Sequence, residues 1–118
     1  MTAAARHAAL LATSRITYVE TYAALARMRR LGRVRGPDHG RIASAFEALW
    51  RDIAVLAVDE PVVERAARLA DGHVLRGYDA TQLASALELA QHGEVLFSSW
   101  DDDLNAAARH EGLRLAPA

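Results

Sequence analysis

Three carboxylates could do chemistry in this chain: Glu20, Asp79 and Asp101, separated by 59 and 22 residues. If the fold gathers them, their negative charges repel and raise each other's pKa unless a cation sits among them. An oxygen-only set without His or Cys suits Mg2+ or Mn2+. Such an ion polarises a phosphodiester and lowers the pKa of an attacking water. The same residues also read as ordinary helix starts. Asp79-Ala-Thr-Gln82 has capping-box spacing with Asp in the place of Ser or Thr, and Asp101 precedes two more acids. Glu20 in a first helical turn would simply complement the macrodipole. Spacing alone leaves both readings open.

A second candidate is basic. Arg27, Arg29, Arg30, Arg33 and Arg35 place five cations in nine residues, with no acid between Glu20 and Asp38. Such an edge neutralises a phosphate backbone; equally, it is a solvated helix end whose charge complements the C-terminal dipole. Within it, Arg27, Arg30 and Arg33 are the residues expected to touch substrate. The five histidines (7, 39, 73, 92 and 110) show no i,i+4 pair, so surface or capping roles are expected of them. No serine lies in a G-x-S-x-G context. Trp50 and Trp100 read as core or interface residues, with Trp100 also placed to flank a cleft beside Asp101. The absence of cysteine removes disulfides, thiolate metal sites and Cys nucleophiles together.

The elements that must position these groups alternate between strand and helix periods. Residues 2–12 are Ala/Leu-rich and predict a helix. Arg15 to Val19 is β-branched and aromatic and predicts a short strand. A helix follows from Thr21 to Leu31, stopped by Gly32. Gly32 to Gly40 reads as a loop, and Pro37-Asp38 opens a helix with Ile42, Ala45, Phe46 and Leu49 on one face. Ile53 to Val58 is an apolar strand. Asp59-Glu60-Pro61 starts a helix to about Gly72, and another runs from Asp79 to about Gln91. Strands over 95–99 and 113–116 bracket a helix from Asp101 to about Gly112. Strands separated by helices of this length imply parallel pairing through crossovers, hence an α/β class. Ligands then collect beyond the carboxyl ends of the strands, where the three acids fall.

Three segments carry a resemblance. Ser14-Arg-Ile-Thr-Tyr-Val-Glu20, followed by Thr21 to Arg27, resembles the second strand and acidic helix of PIN-domain nucleases, and more specifically of the VapC toxins of bacterial toxin–antitoxin pairs. Leu75-Arg-Gly-Tyr-Asp-Ala-Thr-Gln-Leu-Ala-Ser-Ala86 is very similar to the VapC stretch with the third acid. Phe97-Ser-Ser-Trp-Asp101, with Leu104 and Gly112-Leu-Arg-Leu, resembles the fourth-acid segment. The matches fall in family order from residue 14 to 115. The resemblance implies a PIN-like three-layer fold with a small parallel sheet between helices, in one domain over residues 1–118. It also implies metal-dependent RNA cleavage with Glu20, Asp79 and Asp101 holding Mg2+ or Mn2+, and with Ser99 helping to shape the site. A VapB-like antitoxin, whose tail would occupy the carboxylate cleft, and a homodimer are the implied partners.

One family feature has no counterpart here. The first 19 residues contain no Asp or Glu, so the family's N-terminal strand and its acid are missing. That strand lies between those matching residues 15–19 and 95–99, and its loss leaves two rows of backbone groups to be paired otherwise. Three outcomes are open: a start codon further upstream, a degenerate gene that only binds an antitoxin or self-associates, or flanking strands that pair directly or borrow a strand from another chain; weakened catalysis is expected of the chain as written.

Composition narrows the remaining classes. Of the 118 residues 26 are alanine and 35 are larger apolar side chains, so the core must come from close approach of Ala-faced helices. The net charge of −1, with all 14 cations Arg, argues against a uniformly basic coat. No stretch free of Asp, Glu, Lys and Arg exceeds eight residues, which excludes a membrane span and points to a cytoplasmic protein. The start has too short an apolar stretch for a secretory signal.

Overall fold

The computed structural model describes residues 11–117. The helix expected over residues 2–12 lies almost wholly outside them. The elements in chain order are β1 (Ala12–Ser14), α1 (Thr17–Arg30), α2 (Gly36–Asp52), β2 (Ala54–Leu56), α3 (Glu60–His73), α4 (Gly77–Ala90), β3 (Leu96–Phe97), α5 (Asp102–His110) and β4 (Arg114–Leu115). The fold is α/β, and both strand pairs are parallel, β1 with β2 and β3 with β4. Among the described residues the two pairs are not hydrogen-bonded to each other, so the direct pairing considered from the sequence is not seen between β1 and β3.

The core is built as the alanine content requires. Ala66, Ala80, Ala84, Ala107 and Ala108 are buried between α3, α4 and α5, and the larger Val62, Leu69, Leu83, Leu87, Leu104 and Phe97 interlock around them. Leu83 is fully buried. Asp59 caps α3, its side chain accepting from the Val62 N–H at 3.2 Å, and proline stands in the first turn. Gly32 adopts φ 73° just beyond α1, a left-handed conformation that suits glycine at a helix end.

Three sequence expectations are corrected. The strand over 15–19 is instead β1 at 12–14, and Thr17 to Val19 open α1. Local β preference there yields to aromatic packing at i,i+4: the Tyr18 and Tyr22 rings lie 5.3 Å apart, and Tyr18 sits 5.2 Å from Trp50 of α2. Both tyrosine hydroxyls donate to Glu47 Oε1, from Tyr22 at 2.6 Å. They hold the Glu47 carboxyl below its usual range, and the same bonds push both tyrosines up. Second, α2 starts at Gly36, inside the expected loop, and contains no fully buried residue. Its expected apolar face stays largely in solvent, with Ile42 and Leu49 exposed, and Phe46 and Trp50 do the packing. Third, Trp100 is fully exposed and no part of the core.

Replacing the fully buried Leu83 with Ala is expected to lower unfolding free energy by about 2–5 kcal/mol. Leu49→Ala, on the exposed side of α2, should change it by no more than about 0.5 kcal/mol. Urea denaturation of the two variants checks the assignment, and equal losses would refute it.

Candidate active site

Each of the three acids owes its position to a helix start. After β1, the Arg15 N–H donates to Leu56 O at 2.8 Å, and the chain turns directly into α1, placing Glu20 in its first turn. Asp79 is the third residue of α4, whose N-terminal flank is Arg76. Asp101 is the N-cap of α5, its Oδ1 accepting from the Leu104 N–H at 3.0 Å. Helix N-termini carry partial positive charge, so each acid sits where a carboxylate is favoured.

Two of the acids, Glu20 and Asp79, line one open cleft of about 590 Å³, together with Arg27, Arg76 and Tyr78. Asp101 lies outside that lining but within electrostatic reach. Burial pushes the Asp79 carboxyl above its usual range, the charge of Asp101 pushes it further, Arg76 opposes, and Glu20 adds a smaller upward push. The charges of Asp101 and Glu20 thus both bear on Asp79. The three acids are not closed on one another: among the described residues, the one set of three His, Cys, Asp or Glu side chains whose ligand atoms lie within 4.8 Å lies elsewhere. A separated, all-oxygen set fits a hard cation that keeps several of its own waters, as Mg2+ does, and a cation would relieve the repulsion felt by Asp79.

The cap at Asp79 does not form as the sequence suggested. The Gln82 side chain turns to β1 and α1 instead: Oε1 accepts from the Ser14 N–H at 3.4 Å, and Nε2 donates to Thr17 Oγ1 and, at 2.9 Å, to Tyr78 Oη. Gln82 thus ties the start of α4 to the turn that carries Glu20, which frees Asp79 from a capping role. Sequence reasoning missed this clamp because the three-residue spacing from Asp79 to Gln82 matched a local motif, whereas the partners are 65 and 68 residues away. Arg76 and Tyr78 were also missed as site residues, although both stand within three residues of Asp79.

The other expected site residues divide. Arg27 lines the cleft; Arg30 and Arg33 are exposed and do not. The Ser99 hydroxyl accepts from the Asp101 N–H at 2.9 Å and donates to Asp101 O at 3.2 Å. Asn105 Nδ2 donates to Ser99 O at 3.1 Å, so Ser99 shapes the turn that carries Asp101 and stays off the cleft lining.

Comparison with known proteins bears on this geometry. Residues 2–110 match the PIN domain family. Over 106 residues, 90% of the chain, the sequence is 35% identical to Ribonuclease VapC45 of Mycobacterium tuberculosis (strain CDC 1551 / Oshkosh), spanning 73% of that protein. Identity and coverage are the same for Ribonuclease VapC49 of Mycobacterium tuberculosis (strain ATCC 25618 / H37Rv).

The coupling has a pH signature in metal-free protein. Because folding raises the Asp79 pKa, its contribution to stability is fully present below the unfolded value of about 3.9 and is lost as pH rises through the higher folded value. Asp101→Asn keeps a good N-cap yet removes one repelling charge, so the Asp79 pKa should fall towards its ordinary value. Carboxyl 13C NMR titration measures it directly, and an unchanged Asp79 pKa in the variant would refute the coupling.

Proposed function

The chain belongs to the PIN-domain family, and we propose that it is the toxin of a VapBC-type pair, a divalent-metal-dependent endoribonuclease acting at the Glu20–Asp79–Asp101 group. The single observation that carries this reading is the meeting of Glu20 and Asp79, 59 residues apart in sequence, in one cleft edged with Arg27 and Arg76, with Asp101 near enough for its charge to bear on Asp79. PIN-domain ribonucleases use divalent metal ions, and the all-oxygen donor set favours Mg2+ or Mn2+ here. Glu20, Asp79 and Asp101 would hold the ion, which when bound supplies Lewis-acid polarisation of the phosphodiester and a lower pKa for the attacking water.

The protein's own groups do the rest. Arg27, seven residues after Glu20, and Arg76, three before Asp79, bind the phosphate backbone of RNA and orient it. A carboxylate of the group would position the water and accept its proton. Ser99 and Gln82 keep the acid-bearing turns in place.

Both curated relatives are named as ribonucleases, which gives no support to a purely non-catalytic domain. As partner we propose a VapB-like antitoxin whose tail occupies the carboxylate cleft, with the toxin working as a homodimer in the cytoplasm. Among the described residues no helix is long and apolar enough to cross a membrane. We read residues 1–118 as one PIN-like domain.

Purified chain with Mn2+ or Mg2+ should cleave structured RNA, and EDTA should stop it. Asp79→Asn should lower the rate at least about a hundredfold, no less than is lost when a residue that merely orients a metal ligand is removed. RNA that stays intact with wild-type protein and either metal, while an antitoxin peptide still binds, would overturn the enzymatic reading. Arg27→Ala should weaken RNA binding about equally across sequences and reduce the salt dependence of log K by roughly one, as measured by fluorescence anisotropy. A sequence-selective loss would contradict a phosphate contact.

A further inference from the structure

The set of ligand atoms that does close within 4.8 Å is His73, His110 and Glu111. His73 ends α3, His110 ends α5, and Glu111 is the residue that follows. His73 Nε2 lies 2.8 Å from Glu111 Oε2, and His110 Nδ1 lies 3.7 Å from the same oxygen. The two imidazole rings meet edge to face, centroids 5.2 Å apart. Bonds of 2.0–2.1 Å around a tetrahedral ion place neighbouring ligand atoms roughly 3.3 Å apart. The 2.8 and 3.7 Å separations fall on either side of that edge.

Chemistry and field agree with the spacing. Two imidazoles and one carboxylate form a donor set for zinc and its neighbours, unlike the all-oxygen group that suits magnesium. The last turns of both α3 and α5 meet here, so the negative ends of two helix dipoles converge where the ion would lie. The His73 side chain is partly buried, while Glu111 and His110 are exposed residues, which leaves the site open to entry. The cluster is separate from the acidic cleft, because α5 carries Asp101 at its start and His110 at its end. Nine helical residues span about 13 Å.

We propose that His73, His110 and Glu111 bind one Zn2+-class transition-metal ion, which staples the C-terminal ends of α3 and α5 and leaves a fourth position for water. No local spacing advertises the site, because 37 residues separate its two histidines. It stands independently of the nuclease reading.

The test is titration of tag-free full chain with ZnCl2 by calorimetry in excess Mg2+, paired with thermal unfolding. One Zn2+ per chain and an increase in Tm that EDTA reverses are expected. His110→Ala, at an exposed position, should weaken Zn2+ binding by at least about tenfold and abolish the Tm increase. His73→Gln should do the same, with circular dichroism reporting that both variants are folded. Asp79→Asn should change neither quantity. Absence of Zn2+ binding by the wild type, binding that survives both histidine substitutions, or loss confined to Asp79→Asn would each overturn the proposal.

Discussion

Helix α4 can be both the centre of the core and the floor of the site only because alanine lets its neighbours come close. Ala80 and Ala84 are fully buried beside Leu83, and Ala66 of α3 with Ala107 and Ala108 of α5 meet them from either side. Small side chains shorten the interhelical distance and leave the leucines to fill what remains, so dense packing is reached with few large residues. The first turn of α4 carries Asp79, and α5, whose Leu104 joins the same buried cluster, is capped by Asp101. The distance between those carboxylates is thus a consequence of how tightly the core closes.

That closure brings like charges together, and several features make it tolerable. Each acid stands at a helix N-terminus, Arg76 offsets part of the repulsion on Asp79, and Asp101 is anchored by its cap bond. Burial first, and then the remaining repulsion from Asp101 and Glu20, raise the affinity of Asp79 for its proton. A site built this way favours anything positive that enters it, and Arg27 and Arg76 at its edge favour a polyanion alongside. The opposite end of α5 reverses the logic, with two helix C-termini and imidazole donors in place of carboxylates at N-termini.

The α1–α2 pair is held by different means. Its packing rests on Tyr18, Tyr22, Phe46 and Trp50, with Glu47 tying both tyrosine hydroxyls to α2. These rings are half-exposed rather than buried, which is why helical periodicity in α2 suggested a buried face that the fold does not provide. Amphipathic spacing reports that a helix has an apolar side; it does not report whether anything covers it.

The sequence by itself determined the α/β class, the helices over 60–73, 77–90 and 102–110 to within about two residues, the Ala-faced core, and the cap at Asp59. Each of these is written in local periodicity, in a capping residue or in composition. Only the tertiary structure decided that Thr17 to Val19 are helical, that Gln82 reaches back to Ser14 and Thr17, that Arg27 but not Arg30 or Arg33 borders the acids, and that His73 meets His110 and Glu111. Those outcomes depend on partners tens of residues away, whose approach is set by packing, and no window along the chain contains both halves of such a contact.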